Sequence, residues 1–270
     1  MKKFVLFIAI TILFPLIFAG STVLYIIQFN NVSELKNSYP IYSKKLNRYT
    51  FQSKRPSTWT SINAVSNYAK WAIVVSEDWA FYDHPGVDLN QLKITILESI
   101  DEGEFTRGAS TITQQLIKNS VLSDERTLWR KFQEIVLALY LEKMMTKDEI
   151  LEKYLNIIEL GDGIYGIGPA AKFYFDKSPE RLNAREGAFL AMLLPSPVKY
   201  SVSFHKKELT EFAKARVEDI LIKLRQANIY DEQERLNQRK KKFYWEEDFY
   251  QSSPEMPSEG YDDYLDDTFF

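Results

Sequence analysis

Residues 127–156 read TLWRKFQEIVLALYLEKMMTKDEILEKYLN, a stretch that predicts two consecutive helices. The first helix begins near Thr127 and carries seven consecutive apolar residues, 135–141. A run that is apolar on every face predicts a helix buried in the middle of a domain. The second helix begins with a capping box, in which Thr146 caps the helix and Glu149 reaches back to the cap. This stretch therefore predicts a domain with a helical core.

The segments on either side continue the helical pattern. Between residues 65 and 76, apolar side chains recur at helical spacing on a helix that runs up to Glu77. Glycines at positions 161, 163, 166 and 168 mark a loop, and further helices are predicted at 169–175 and 183–194. Alternating strand patterns are scarce. The predicted fold is therefore mainly α.

The N-terminus predicts a membrane anchor. Residues 4–27 form an uncharged stretch of 24 residues that follows Lys2 and Lys3. A helix of this length covers roughly 36 Å, enough to cross a hydrocarbon core of about 30 Å. The two lysines predict a cytoplasmic N-terminus. The alternative is a cleaved signal peptide, but the apolar run is longer than the usual core of such a peptide and 18–20 is a poor cleavage site.

The rest of the chain divides by composition. We predict a cytoplasmic start and anchor (1–27), a polar stalk (28–60), a helical domain (61–230) and a charged tail (231–270). Residues 243–270 contain acids but no lysine or arginine, which predicts disorder because like charges repel and few aliphatic residues are present. A regulatory docking peptide that uses its tyrosines and the terminal 269–270 pair is the alternative.

The bulk composition excludes several function classes. A net charge of −3, with no broadly basic half, argues against a nucleic-acid partner. The chain has no cysteine, which excludes disulfides, thiolate zinc sites and cysteine nucleophiles. Only two histidines are present, His84 and His205, so a histidine-rich metal site is not expected.

Three stretches place polar groups in apolar surroundings. The first, 77-EDWAFYDHPGVD-88, puts two acids at the end of a helix whose preceding turns are apolar. A carboxylate in that position is partly desolvated, which raises its pKa and suits it to accept a proton. A solvated helix end is the alternative interpretation.

The second stretch, 108-GASTITQQLIKN-119, predicts a helix start with a polar face. Backbone amides at such a start attract anions, and Lys118 adds a positive charge. The alternative is a capped helix in which Thr111 and Gln114 form the box. In the third stretch, 126-RTLWRKFQE-134, Arg130 and Glu134 are four residues apart and share a helix face. Glu134 directly precedes the apolar run, so its carboxylate is expected near the interior, where an acid needs a partner or a function.

Together the three stretches resemble signature motifs of the family 51 glycosyltransferases, the peptidoglycan transglycosylases that also occur fused in bifunctional penicillin-binding proteins. The second stretch has Ala109 where the family has a glycine. Two further motifs resemble residues 147–156 and 161–175, and the similarity continues through 194-LPSP-197. The chain looks closer to the monofunctional branch, since after Ile229 only 41 residues follow, too few for a transpeptidase domain.

The resemblance implies a fold and a reaction. The expected fold is mainly α, with a lysozyme-like main lobe and a small membrane-proximal jaw lobe. The expected substrates are lipid II and the growing glycan strand, with the acceptor 4-hydroxyl attacking C1 of the lipid-linked strand and inverting it in one displacement. The expected location is the bacterial cytoplasmic membrane, crossed once, with the catalytic domain outside. Other cell-wall synthesis or division proteins are compatible partners.

The resemblance also implies site residues. Glu77 is expected to be the catalytic base and Glu134 the second essential acid, which would orient cations, hold a divalent cation (Mg²⁺ or Mn²⁺) against the diphosphate, or assist the leaving group. The expected substrate-binding residues are Asp78, Phe81, His84, Ser110, Thr111, Gln114, Gln115, Lys118, Asn119, Arg126, Arg130 and Lys131. Among these, Lys118, Arg126 and Arg130 are expected to neutralise the departing diphosphate.

Two rival functions remain open at this point. A lysozyme-like glycan hydrolase would also use a partly buried glutamate, but it has no diphosphate to neutralise. A non-catalytic scaffold that binds lipid II would have no need of both acids. For the membrane side, the sequence predicts that Leu92, Ile96, Ile100 and Phe105 form an apolar ridge that dips into the interface; ordinary core packing is the alternative.

Overall fold

The computed structural model describes residues 11, 14–102, 110–123, 125 and 127–246, and this part of the chain is mainly helical, as predicted. The helices, named in chain order, are α1 (Phe14–Phe29), α2 (Glu34–Asn37), α3 (Asn67–Glu77), α4 (Leu89–Glu102), α5 (Ile112–Ser120), α6 (Leu128–Met144), α7 (Lys147–Ile157), α8 (Ile167–Phe175), α9 (Ala184–Leu193), α10 (Pro197–Tyr200), α11 (Val202–His205), α12 (Glu211–Gln226) and α13 (Glu232–Lys240). Two strands, β1 (Tyr39–Ser43) and β2 (Arg48–Gln52), form an antiparallel hairpin.

The core consists of two groups of packed helices. In one group, α3, α9 and α12 contact one another, and in the other α5 contacts both α6 and α7. Gly187 permits the close approach of α9 to α3, because a side chain there would lie 2.7 Å from the Cα atom of Ala69. The C-terminal end of α3 reaches the second group, and the candidate site lies at that junction.

The helix starts that the sequence predicts near Thr127 and at Thr146 are present, and Thr146 forms the predicted capping box. Thr146 accepts a hydrogen bond from the backbone N–H of Glu149, and the Glu149 side chain accepts one from the backbone of Thr146. Thr127 caps α6, where its hydroxyl accepts from the backbone N–H of Arg130 at 3.1 Å. Each of these helix starts depends on residues within one turn, so all of the residues that form it can be read from the local sequence.

The apolar run in α6 is not buried on every face, so that expectation is wrong. Leu137, Ala138 and Leu141 are buried in the core, whereas Leu139 is 38% exposed. The reason is the position of α6 at the edge of its group, where one side faces a surface cleft instead of another helix. Leu139 lines that cleft together with Tyr82 and Lys143.

Residues 28–60, expected as a stalk, contain α2 and the hairpin, in which β1 packs against α7 and β2 against α5. The Tyr49 hydroxyl donates to the backbone carbonyl of Ile157. Lys153 of α7 donates to the carbonyl of Ser38 at 2.9 Å and lies over the rings of Tyr39 and Trp59. Aromatic side chains in this polar segment thus attach it to the domain.

Residues 231–246, expected as the start of a disordered tail, contain α13 and a buried aromatic segment. The rings of Phe243 and Trp245 stack with centroids 4.8 Å apart, and Trp245 also contacts Phe189 at 5.5 Å and Phe204 at 5.6 Å. The prediction of disorder rested on the average composition of the tail, which does not reveal that Phe243 and Trp245 are buried. The remainder of the predicted tail, 247–270, lies outside the described residues.

One helical stretch, Phe14–Asn37, is long and apolar enough to cross a membrane, within the part of the chain that the structure describes. Its first turns expose large apolar side chains such as Phe14, Leu16 and Phe18. Further along, Ile26 is buried, and α1 contacts α6. The end of this helix is therefore attached to the domain.

The aromatic segment at 243–245 should stabilise the fold. We expect Trp245→Ala to lower the free energy of unfolding by about 3–5 kcal/mol, the usual loss for a buried aromatic side chain. Chemical denaturation of the detergent-solubilised chain measures this, with Trp79→Ala as the matched control because Trp79 is 51% exposed. Equal losses in the two variants would show that residues 243–245 do not anchor the domain.

Candidate active site

Glu77 is the last residue of α3, and the side chains of the preceding turns, at 72–75, are buried. Its Oε2 atom accepts a hydrogen bond from Nε2 of Gln115 at 2.8 Å. Burial raises the pKa of the Glu77 carboxyl above its ordinary value, while the Gln115 hydrogen bond and the charges of Arg216 and Lys223 oppose this rise. Glu77 therefore has the raised pKa that its position at an apolar helix end predicts.

Asp78, the neighbour of Glu77, is buried and joins two elements. Its Oδ1 lies 2.8 Å from Nε2 of His84, and its Oδ2 accepts from the backbone N–H of Ile112 at 2.9 Å. Nδ1 of His84 accepts from the N–H of Gly86 at 3.1 Å. The neutral ring therefore carries its proton on Nε2 and donates it to Asp78.

The loop that follows Glu77, residues 78–88, requires Gly86 at the point where it passes α6. Its φ is +95°, and a side chain there would lie 2.8 Å from Cγ of Glu142 and 3.0 Å from the carbonyl oxygen of Ala138. Phe81 is fully buried, with Nζ of Lys147 4.4 Å from the centre of its ring. The loop after Glu77 therefore contacts α5 through Asp78, α6 at Gly86 and α7 through Phe81. Direct contact of Asp78, Phe81 and His84 with substrate stays a prediction.

The start of α5 is the capped helix that the sequence suggested. Thr111 accepts from the N–H of Gln114 at 3.2 Å, and Oε1 of Gln114 accepts from the N–H of Thr111 at 3.0 Å. The Thr111 hydroxyl donates to the carbonyl of Gly86 at 2.6 Å, so the cap also holds the loop. Both side chains are buried, whereas Lys118 and Asn119 at the other end of α5 are exposed. Residues 108 and 109 lie outside the described residues.

Glu134 is buried on α6, 1% exposed, and is paired with two cations. Nζ of Lys131 donates to its Oε1, and NH1 of Arg130 lies 3.4 Å from its Oε2. Lys131 also donates to the Ser110 hydroxyl at 2.9 Å. Nε of Arg130 is buried and has no hydrogen-bond partner within the described ranges. Arg126 lies outside them.

The side chains around Glu134 do not fit a divalent cation. Both of its carboxylate oxygens are already paired, with Lys131 and Arg130, so a metal ion would meet two positive charges at its first ligand. Within the described ranges no group of three His, Asp or Glu side chains is arranged to hold a metal. No step of the mechanism is assigned to a metal.

A network behind the site was not predicted from the sequence. Glu142 accepts from the Thr113 hydroxyl at 2.5 Å and from Nζ of Lys147 at 2.7 Å. Lys147 also donates to the carbonyl of His84 at 2.7 Å. These side chains join α5, α6 and α7 to the loop. Lys147, the first residue of the motif at 147–156, was the available signal, but it did not indicate which residues it contacts.

α5 brings the predicted acids and cations together. Ser110 precedes it, Gln115 contacts Glu77, and Lys118 follows Gln115 by three residues on the same face of the helix. At Ser110 the helix meets Lys131, which pairs with Glu134. A partly desolvated carboxylate and a cationic group thus flank one helix, an arrangement that can accept a proton on one side and hold an anion on the other.

Comparison with known proteins identifies the family. A family model described as Transglycosylase matches residues 43–225. The chain is 36% identical to the biosynthetic peptidoglycan transglycosylase of Nitrosomonas eutropha over 68% of this chain and 74% of that protein. It is 41% identical to the protein of the same name from Marinomonas sp., over 64% and 78%. It is 45% identical to the one from Shewanella frigidimarina, over 55% and 66%. This chain therefore belongs to the transglycosylase family.

Proposed function

We propose that this chain is a peptidoglycan glycosyltransferase that polymerises lipid II into glycan strands. The proposal rests on the contacts made by α5 and by the residues that precede it. Gln115 of α5 bonds Glu77, whose pKa is raised, and lies on the same face as Lys118. Ser110, just before α5, bonds Lys131, one of the two cations paired with Glu134. Its relatives are named biosynthetic peptidoglycan transglycosylases, which agrees with this assignment.

The reaction makes two demands on the site. The acceptor 4-hydroxyl has a pKa far above 7, so its proton must pass to a base as the new bond to C1 forms; Glu77 takes that proton. The bond from C1 to the lipid diphosphate breaks, and the electron pair leaves with the diphosphate. Lys118, Arg130 and Lys131 neutralise the charge that develops on its oxygens. Since attack and departure occur on opposite sides of C1, the anomeric centre inverts.

The contacts of Glu134 support one of its three candidate roles. Its carboxylate holds Arg130 and Lys131 side by side, and Nε of Arg130 is left without a partner in the described ranges. A buried donor without a partner is costly, and a diphosphate oxygen would satisfy it. Glu134 therefore orients the two cations toward the leaving group.

A cleft that Asn119 joins to the C-terminal end of α5 suits a polymeric, polar substrate. It has a volume of about 790 Å³ and lies between the hairpin, the end of α1 and the end of α5. Its lining includes amides and tyrosines, among them Asn31, Asn119, Tyr42 and Tyr165. Amides bond sugar hydroxyls and tyrosine rings pack on sugar faces, which supports a glycan substrate.

The apolar surface supports a membrane location, and Lys2 and Lys3 before the apolar run support a catalytic domain outside the cytoplasm. At the start of α6, Leu128 is 91% exposed, and Trp129 and Phe132 are also exposed. On α4 the exposed apolar residues are Leu89, Ile94 and Leu97, which differ from the predicted ridge. Of that ridge, Leu92 is half-buried, while Phe105 and the side chains of Ile96 and Ile100 lie outside the described residues. Together with α1, such surfaces keep the site near a lipid-linked diphosphate.

A glycan hydrolase and a non-catalytic scaffold are the alternatives. Hydrolysis of a glycan has no leaving diphosphate and needs no cations to neutralise one, which argues against a hydrolase. A scaffold that only binds lipid II needs no proton acceptor, so the raised pKa of Glu77 argues against a scaffold. Labelled lipid II incubated with the purified chain distinguishes the three. Glycan strands support the proposal, whereas sugars released from mature wall with lipid II untouched would overturn it.

Glu77→Gln should abolish polymerisation, because removing a general base lowers the rate by about 10²- to 10⁴-fold. Binding of lipid II should remain, since the amide has the shape of the carboxyl. Glu208→Gln is the matched control, because the Glu208 side chain is 70% exposed. Strand synthesis by Glu77→Gln at the wild-type rate would remove Glu77 from the role of base.

The pH dependence should report the raised pKa of Glu77. Only the ionised carboxylate accepts a proton, so kcat should fall as pH drops through that pKa. The acidic limb is therefore expected above about pH 4.3, the ordinary glutamate value. A pH profile of kcat measured with saturating lipid II tests this, and a limb at or below the ordinary value would contradict it.

Lys118→Ala should weaken use of the lipid-diphosphate donor by about 10- to 100-fold in kcat/KM, the usual effect of losing a charged hydrogen-bond donor. The measurement is elongation of a labelled, lipid-linked oligosaccharide by unlabelled lipid II. Lys172→Ala serves as control, because that lysine is exposed and paired with Asp176. Unchanged donor kinetics in Lys118→Ala would exclude Lys118 from contact with the diphosphate.

A further inference from the structure

A chain of two hydrogen bonds connects the core of the domain to the base. The hydroxyl of Tyr154, on α7, donates to Oε1 of Gln115 at 2.8 Å. Nε2 of Gln115, on α5, donates to Oε2 of Glu77 at 2.8 Å. Tyr154 is fully buried and does not itself reach Glu77 in these contacts. The hydrogen-bond path from Tyr154 to Glu77 therefore runs through Gln115.

The direction of both hydrogen bonds is fixed by chemistry. An ionised carboxylate can only accept, so the NH₂ group of Gln115 must face Glu77. Its carbonyl oxygen then faces Tyr154, whose hydroxyl must donate. Burial, together with the charges of Glu77 and Asp78, raises the pKa of Tyr154 well above its usual value, so the hydroxyl keeps its proton across the working pH range.

Two other tyrosine hydroxyls in the described part of the chain, of the buried Tyr174 and the half-buried Tyr230, have different partners. The Tyr174 hydroxyl donates to the backbone carbonyl of Leu160 at 2.7 Å, and that of Tyr230 to the carbonyl of Leu221 at 2.8 Å. Those bonds stabilise the fold without reaching a functional side chain. The hydroxyl of Tyr154 instead bonds a side chain that contacts the base, which separates its role from that of Tyr174.

We propose that Tyr154 is a positioning residue: its hydroxyl locks the Gln115 amide so that the NH₂ group holds Oε2 of Glu77 and leaves Oε1 for the acceptor hydroxyl. Without the hydroxyl, the amide can rotate and present its oxygen to the carboxylate, which repels it. The role of Glu77 as base is that of the proposed function, on which this inference rests.

Loss of the lock should raise the pKa of Glu77. The Gln115 hydrogen bond favours the ionised form and opposes the effect of burial, so weakening it moves the pKa further upward. The other charges that face Glu77 are Asp78 beside it and Arg216 and Lys223 on α12, and substitution of Tyr154 leaves these in place. A change in the pKa of Glu77 therefore reports the contact through Gln115.

The test compares Tyr154→Phe with Tyr174→Phe in the full chain. Carbon-13 NMR of carboxyl-labelled glutamate, with Glu77→Gln used to assign the signal, follows the titration of Glu77. We expect Tyr154→Phe to raise its pKa and move the acidic limb of kcat to higher pH, and Tyr174→Phe to change neither. The loss of one hydrogen bond should lower kcat at neutral pH by about tenfold, with KM for lipid II changed less than about twofold.

A titration of Glu77 in Tyr154→Phe that matches the wild type would overturn the inference. If Tyr154→Phe does not fold, Gln115→Ala tests the contact through which Tyr154 acts, at a half-buried position, and an unchanged pKa of Glu77 in that variant likewise overturns the inference. The NMR titration does not depend on turnover. A wild-type chain that fails to polymerise lipid II would therefore refute the proposed function, while the titration still decides the link between Tyr154 and Glu77.

Discussion

The site depends on the carboxylate of Asp78. One of its oxygens accepts from His84 and the other from the backbone N–H of Ile112, the first residue of α5. A carboxylate at a helix N-terminus satisfies an amide that has no partner within the helix and interacts favourably with the helix dipole. Because Asp78 directly follows Glu77, this one contact fixes the distance between the base and the helix that carries Gln115 and Lys118. The loop, α5 and α3 are thus held at one point.

The two acids of the site, Glu77 and Glu134, are compensated in different ways. Glu134 has two cations against its oxygens, whereas Glu77 has one neutral amide. Burial of a charge beside a neutral partner is incompletely compensated, and this is why Glu77 has an affinity for protons that an exposed glutamate lacks. The difference separates the functions: Glu134 organises positive charge, and Glu77 accepts a proton. Such paired but unequal environments are the usual way in which one site assigns different roles to two carboxyl groups.

The sequence predicted the features that depend on neighbouring residues. The box of Thr146 and Glu149 and the helix that ends at Glu77 rest on contacts within a few turns, so their patterns are complete in the local sequence. The hairpin was missed because the contacts of Tyr39 and Tyr49 that attach it to the domain are made with α7, more than 100 residues away. The exposed side of α6 at Leu139 was missed because a uniformly apolar run does not show which face lacks a neighbour.

In the candidate site, too, the sequence predicted what depends on local motifs and missed what depends on distant contacts. Glu77, Glu134 and the residues from Ser110 to Lys131 were identified by their motifs, and the structure brings the described ones together around α5. The contact of Gln115 with Glu77 joins residues 38 positions apart, and Tyr154 lies another 39 positions on, so no local pattern could connect the three. Similarly, Phe243 and Trp245 are two aromatic residues in a charged segment whose average composition predicts disorder.

The proposed reaction is a single displacement at C1 of the lipid-linked strand, and the configuration of the newly formed linkage is its most direct test. Proton NMR of strands made by the purified chain from α-linked lipid II would distinguish α from β at each new anomeric centre. One displacement predicts that every new linkage is β. Strands with α linkages would mean net retention at C1, as in two successive displacements, and would contradict a single displacement.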